Sequence, residues 1–517
     1  MKAFTEPLLS LAGFEEMTKT AEKSSGLISV TGCIDAQKSQ MIYAFGGHRK
    51  NKLIVTFGEQ KAKELYDEYS FFDKEVVYYP SKDVLFYQSD IRGNLLTAER
   101  IRALKAIREQ ESVTLVTTFD ALMNTMAPIE KMWENVLTLE QGQLLDLKEI
   151  QAALIRMGYE KEYQVQTMGQ FSVRGGILDV FPLTEENPIR IELWGDEIDT
   201  IRYFDCESQK SIENIDWVSI YPAAELVLSD EEKAGGIEKL KAEAKRVSDK
   251  LRKQMKTEEA HRVTVMADEL TEEWGELSMY AGMDAFLSYF FDERVGILDY
   301  FNPSDSLIFF DELTRCAEQG KLTETEFSES MKQRLTMGYI LPGQMNGLFT
   351  EKEIVAKLGK YSCIALGALD NKANGLHQLG SYGIHCQSVS PYNNSFELLI
   401  KDLKRYKKNG YRVILLSGSR TRAKRLSEDI TDQGITCFYT ENYDHELFEG
   451  QIMVCYGKVR RGFEYPILKF AVITESDIFG AQQKKKKRHR TYEGEKIQSF
   501  TDLSVGDYVV HENHGLG

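Results

Sequence analysis

"VTGCIDAQKSQMI", residues 30–42, continues the β-branched run "GLISVTG" and has the outline of a strand opening into a phosphate-binding loop. Such a loop needs the pattern GxxxxGK[ST]. Its second glycine lets successive backbone N–H groups curl around the phosphates, while the Lys reaches the terminal phosphates and the hydroxyl holds magnesium. Gly32, Lys38 and Ser39 stand in register, but Gln37 occupies the place of the second glycine. A Cβ enters there where a left-handed or closely approached backbone is usual, and Asp35 sets a negative charge where phosphate oxygens would lie. The stretch therefore predicts a nucleotide-binding fold without its chemistry, with phosphate binding weak or absent. The pair Asp311-Glu312, after the apolar "LIFF", reads in two ways. It is the other half of an ATPase, with Asp on magnesium and Glu orienting water, or a polar strand end beside a helix start.

Around the loop, "GLISVTG", "NKLIVTF", "EVVYYP" and "VTLVTTF" predict strands, and 58–69 and 96–109 predict helices. This alternation indicates a parallel sheet with helices on its faces. Near residue 135 the rhythm changes: "NVLTLEQGQLLDLKEI" leads into one helix and then strands joined by tight turns, an α+β unit reaching about 222. A charged helix covers roughly 228–257, and helical patterns continue to the buried strand of "SLIFFDELT". "YSCIALGAL", "LLIKDLKRYKKNG", "YRVILLSGSRTRAKRLSEDITDQG", "ITCFYT", "QIMVCYG" and "LKFAVITESDIFG" form a further β-α series, suggesting a separate doubly wound domain. The fold class is α/β and multidomain.

With 517 residues, 42% of them hydrophobic, the chain can bury several cores. Its 80 acidic and 64 basic residues leave a net charge of −16, which opposes diffuse nucleic-acid binding and favours protein partners. Seven scattered cysteines without a CxxC pair read as reduced thiols. With no export-length or membrane-length apolar run, a soluble, cytoplasmic protein is expected. The strand-like ending "VGDYVVHENHGLG" suggests a fragment.

The most informative stretch is "QFSVRGGILDVFPLTEENPIRIELWGDEIDTIRYFD", residues 170–205. Alternation along "PIRIELWG" sends Ile189, Ile191 and Leu193 to the core side and Arg190, Glu192 and Trp194 to the other; in "FSVRGG", Phe171 and Val173 go inward and Arg174 outward. Exposed Arg and Trp are residue types enriched at interface hot spots. Alternatively, a neighbouring domain covers Trp194 and the arginines pair with Glu192, Asp196 or Glu197. Gly175-Gly176 reads as a bulge or tight turn.

"FSVRGGILDVFP", "PIRIELWGDEIDTIRYFD" and "SQKSI" together closely resemble the domain shared by the repair helicase UvrB and the bacterial transcription-repair coupling factors (Mfd), where it docks on the damage-recognition ATPase UvrA. The broken loop and the short "VVYYPSKDVLFYQSDIRGNLLTAERIRALKAI", which cannot hold a long Tyr-rich DNA hairpin, place the resemblance with the coupling factors. It implies a degenerate RecA-like/P-loop sheet carrying an inserted α+β UvrA-binding domain, then a second doubly wound α/β domain. The implied division is 1–134 (domain 1a), 135–222 (domain 2, UvrA-binding), 223–385 (domain 1b, completing the first α/β unit), 386–480 (a family-specific third domain), 481–500 (basic linker) and 501–517 (the start of an RNA-polymerase-interacting domain). Carried over by motif, the UvrA-docking residues are Arg174, Arg190 and Trp194, the last at a position often Phe in the family. Gly32, Lys38, Ser39, Asp311 and Glu312 become a degenerate nucleotide site. The resemblance also implies that ATP and magnesium, and most DNA contact, belong to a translocase motor beyond these residues. The expected chain is a monomer without cofactor, catalytic residues or metal, binding UvrA and in part RNA polymerase. The alternatives are an active UvrB-type ATPase using Lys38 and a DNA-binding scaffold acting through "KKKKRHR", 484–490, which otherwise reads as a solvated connection. "SGSRTRAKRLSEDI", 417–430, offers an anion-binding helix N-terminus or an ordinary capped helix, and His511 and His514 read as turn residues rather than a metal pair.

Overall fold

The computed structural model describes residues 1–47, 49–82, 94–276, 282–369, 375–480, 510–511 and 515–516. The basic run 484–490, His514 and residues 83–93 of the short would-be hairpin lie outside them. The chain forms two compact units: Met1–Val76 with Pro303–Cys316 and Leu358–Gly517, and Val77–Asn302 with Ala317–Lys357.

In the first unit, strands lie side by side in the order Gln378–Gly383, Gly26–Thr31, Ser362–Leu366, Ser306–Asp311, Asn51–Thr56, and the pairings along this row are parallel. Leu27, Ile28, Leu53, Ile54, Leu307, Ile308, Phe309 and Ile364 are all buried, the near-continuous apolar runs expected of parallel strands covered on both faces. The strand of "YSCIALGAL", which heads the later β-α series when the chain is read by pattern but falls within 223–385 in the implied division, fills the slot between Gly26–Thr31 and Ser306–Asp311. An apolar strand run carries no mark of the sheet it joins, which is decided by tertiary pairing.

The same unit holds a second sheet, ordered Gln387–Ser388, Phe463–Tyr465, Phe470–Thr474, Arg412–Ser417, Ile452–Tyr456, Phe438–Tyr439. Its centre is parallel and the Gln387 side antiparallel. The helices Phe396–Lys408 and Arg420–Asp432 bury Leu399, Leu403, Leu426 and Ile430 against Val413, Leu415, Val454 and Ile473.

The second unit contains a twisted antiparallel meander, Ser211–Ile215, Glu197–Phe204, Ile189–Trp194, Ile177–Val180, Gln170–Arg174, with the short Glu160–Lys161 added in parallel. Its inner face, Phe171, Leu178, Val180, Ile189, Ile191 and Ile201, packs on Ile150 and Leu154 of the helix Leu147–Arg156, capped by Asp146. Trp217–Ile220 pairs with Leu137–Glu140, so the first and last strands of this region close on each other. The helix Asp230–Lys253, opened by a Ser229/Glu232 capping box, packs with Thr257–Glu276 around Leu240, Ala244, Val263 and Trp274.

Beyond the strand Trp217–Ile220, Glu225 meets Arg100, a fully buried guanidinium on the helix Asn94–Glu109. Arg100 Nε donates to Glu225 Oε1 at 2.6 Å and Nη2 to Oε2 at 3.1 Å, while Nη1 donates to the Pro80 carbonyl at 2.6 Å. The Tyr79 hydroxyl accepts from Nη2, and its ring lies 4.0 Å under the guanidinium carbon. Lys82 adds a second cation 3.2 Å from Glu225. Burial alone would raise the Glu225 carboxyl; Arg100 and Lys82 reverse this and pull it down to about 2.

Candidate functional site

The loop at 32–39 is built at the end of Gly26–Thr31. Gly32 takes φ +78°, and a Cβ on it would lie 2.1 Å from the Ile384 carbonyl, so only glycine fits. Its N–H donates to the Ala368 carbonyl at 3.2 Å and the Cys33 N–H to Gly367 at 3.0 Å. Two amides that would face phosphate are thus spent on the chain's own backbone. The helix already begins at Asp35, so Gln37 falls in its first turn without a positive φ. That corrects the sequence reading: the side chain at 37 strains no left-handed backbone, but fills the interior, wholly buried.

Lys38, with its side chain 1% exposed, points to carboxylates. Its Nζ bonds Asp311, Glu312 Oε1 at 2.9 Å and Asp35 Oδ1 at 3.1 Å. Burial pulls the ammonium down, but Asp311, Asp35 and Glu312 outweigh it and hold the pKa above the usual lysine value. Thr56 Oγ1 donates to the other Asp311 oxygen at 2.9 Å, and Lys61 reaches Asp35 at 2.9 Å. Glu312 sits at φ +58°, tied by its own N–H to Leu366 and by its carboxylate to the Ala368 N–H. The structure thus brings Gly32, Lys38, Asp311 and Glu312 together, with the Lys neutralised from within, while the Ser39 hydroxyl is buried without a hydrogen-bond partner among the described residues.

On the meander, the face away from the helix carries the arginines. Register sets Ser172 opposite Asp179, Asp179 opposite Arg190, and Arg190 opposite Arg202, so one cross-strand row runs through four of the meander's strands. Asp179, 1% exposed, is the hub: Arg174 Nη2 reaches it at 2.7 Å, and Arg190 Nε and Nη2 grip it at 2.7 and 2.8 Å. Arg190 Nη2 also donates to Gln209 Oε1 at 2.9 Å, and its guanidinium stacks 4.4 Å over the Phe204 ring. Neither arginine pairs with Glu192, Asp196 or Glu197, contrary to the alternative raised from sequence. Glu192 instead belongs to Arg202, whose hydrogen bonds hold its carboxyl below the usual range. The outward placement is also graded: Arg174 is 36% exposed at its side chain but Arg190 only 13%. One buried carboxylate under two guanidinium groups leaves a net positive site. Arg174 commits one nitrogen to Asp179 and keeps the rest of its fork for a carboxylate from outside.

Trp194, at the end of the same strand, is 83% exposed. It lines an open cleft of ≈ 660 Å³ with Glu140, Gln141, Gly142, Glu197, Ile198, Asp199, Asp216 and Trp217. Asp179 and Trp217 escaped the sequence reading. Asp179 sits inside the apolar run "ILDVFP", where a buried charge beside two arginines is the only cue, and Trp217 joins the site through a strand nearly eighty residues away in sequence.

The other candidates resolve locally. At residues 417–430 the helix N-terminus is occupied by the chain's own Glu475: Ser417 Oγ donates to it at 2.9 Å, the Gly418 N–H donates to it, and Arg422 pairs with it at 2.7 Å. Ser419 caps the helix, the ordinary reading of that stretch. His511 lies in a two-residue strand paired with Gly515–Leu516. Among the described residues no acidic, Cys or His group has metal-binding geometry, all seven cysteines are free, and no helix is long and apolar enough to cross a membrane.

Residues 137–226 match the family model described as UvrB interaction domain. Along nearly its whole length the chain is similar to transcription-repair-coupling factors. It is 29% identical to that of Bacillus subtilis (strain 168) over 467 residues, which is 90% of this chain and 39% of the relative. Against that of Staphylococcus haemolyticus it is 28% identical over 502 residues, 95% and 41% of the two chains. Against that of Staphylococcus aureus (strain MRSA252) it is 27% identical over 519 residues, 98% and 42%. The chain spans about two-fifths of the length of these relatives.

Proposed function

We propose that this chain acts as the UvrA-recruiting part of a transcription-repair coupling factor, docking UvrA through Arg174, Arg190 and Trp194 on the domain at 135–222. The observation that carries the reading is the convergence, inside the matched UvrB interaction domain, of two guanidinium groups on buried Asp179 beside an indole left 83% exposed. Asp179 fixes both forks in place before a partner arrives, which lowers the ordering cost of binding. The loop at 32–39 is a scaffold: its amides and Lys38 are spent within the fold, which favours this reading over an ATPase acting through Lys38. The ATP-driven motor, most DNA contact and the rest of the polymerase-binding module that starts at 501–517 belong, on this reading, to the remaining length of such factors. The chain itself is a cytoplasmic monomer, with 386–480 as a third domain.

A pull-down tests this directly. Immobilised wild-type chain retains UvrA without nucleotide, and Arg174→Ala, Arg190→Ala and Trp194→Ala each weaken retention strongly. Equal retention by all four contradicts the docking assignment.

A further inference from the structure

Beside the arginine row lies a surface of opposite sign. The cleft under Trp194 is lined by four carboxylates, Glu140, Glu197, Asp199 and Asp216, and none of them has an ion-pair partner among the described residues. It also holds two of the chain's four tryptophans, Trp194 at 83% and Trp217 at 60% exposure. Register sets each indole directly across an antiparallel pair from a glutamate: Trp194 opposite Glu197 and Trp217 opposite Glu140. Side chains so opposed have Cβ atoms about 5 Å apart. The walls are fixed by backbone bonds, Gly142 N–H to Ile198 at 2.8 Å and Gln141 N–H to Asp216 at 2.9 Å, and by Gln141 Nε2 to the Asp199 carbonyl at 2.7 Å. The carboxylates are therefore spread along a rigid rim and do not gather around a point, consistent with the lack of metal-binding geometry among the described residues.

A planar organic cation suits such a site. Indole faces attract guanidinium and ammonium groups, most strongly when the pair is desolvated, and carboxylates at the rim complete the charge. A cleft of ≈ 660 Å³ holds a whole arginine side chain with its backbone. Trp194 stands on both surfaces, ending the arginine strand and lining the cleft, so one partner that covers it meets both.

We infer that the Trp194–Trp217 cleft receives a basic side chain, an arginine, from UvrA, making the docking surface bipolar: the partner's carboxylates meet Arg174 and Arg190 while one of its cations enters the acidic indole cleft. This rests on the docking reading above. The test is calorimetric titration of UvrA into the whole chain and three variants: Trp217→Ala, the pair Glu197→Gln/Asp216→Asn, and Arg174→Ala. The expected result is a loss of affinity of about tenfold for Trp217→Ala and for the carboxylate pair, with the pair also showing a shallower salt dependence than wild type. Thermal unfolding checks that the variants fold, and the isosteric pair keeps the test decisive should Trp217→Ala unfold. If Arg174→Ala weakens binding while Trp217→Ala and the pair bind like wild type, the cleft is overturned and the docking face stands. If the pair binds UvrA more tightly, the occupant is not a cation and the inference is overturned. If wild type and Arg174→Ala bind alike, the docking reading fails and takes the cleft with it.

Discussion

Glu225→Gln loses about 3–5 kcal/mol of unfolding free energy at neutral pH, measured by urea denaturation, because it leaves a fully buried guanidinium without its counter-charge. The side-chain shape is kept, so the loss reports charge and not a cavity. The acid limb carries a second signature. The native carboxyl is depressed from 4.5 to about 2, so its contribution is complete above the unfolded value and drains away as pH falls from there through the native one. The gap between wild type and variant therefore closes over that window. Replacing both partners by apolar residues, Arg100→Met with Glu225→Leu, recovers most of the loss, since neither charge then needs burying. A neutral-pH gap below about 1 kcal/mol, the range of exposed pairs, contradicts the assignment of this network as a buried joint.

Lys38→Met separates a scaffold from an enzyme. In a working loop the substitution abolishes nucleotide binding and barely touches folding. Here Lys38 neutralises Asp311, 1% exposed, inside the first sheet, so its loss costs about 3–5 kcal/mol of stability. Titration of magnesium-ATP gives no binding heat for wild type or variant. Tight binding by wild type, lost in Lys38→Met, establishes the opposite account.

The parts of this molecule that sequence reveals are those written in local periodicity. The alternation in "PIRIELWG" put Ile189 and Ile191 in the core and Trp194 in solvent because a pleat admits no other choice once one face is buried. Gln37 showed that the loop was altered, though not how: the strain expected there vanishes because the helix starts at Asp35, and what closes the loop is instead a pair of carbonyls from 367–368, brought in by a strand more than three hundred residues downstream. Asp179 was hidden for a related reason. A single Asp in an apolar strand looks like noise until cross-strand register places it under two arginines. Trp217 and Glu140, and the destination of "YSCIALGAL", likewise depend on pairings between distant segments, which no local window contains.

The docking face is tested most directly by titrating UvrA into the wild-type chain and into Arg174→Ala/Trp194→Ala. Arg190 keeps both of its bonds to Asp179 and Trp194 is 83% exposed, so the double variant stays folded with a melting temperature only modestly lowered, while affinity falls by at least about thirtyfold, the loss of roughly 2 kcal/mol typical of a single hot-spot truncation. Unchanged affinity in a variant that still melts cooperatively contradicts the account.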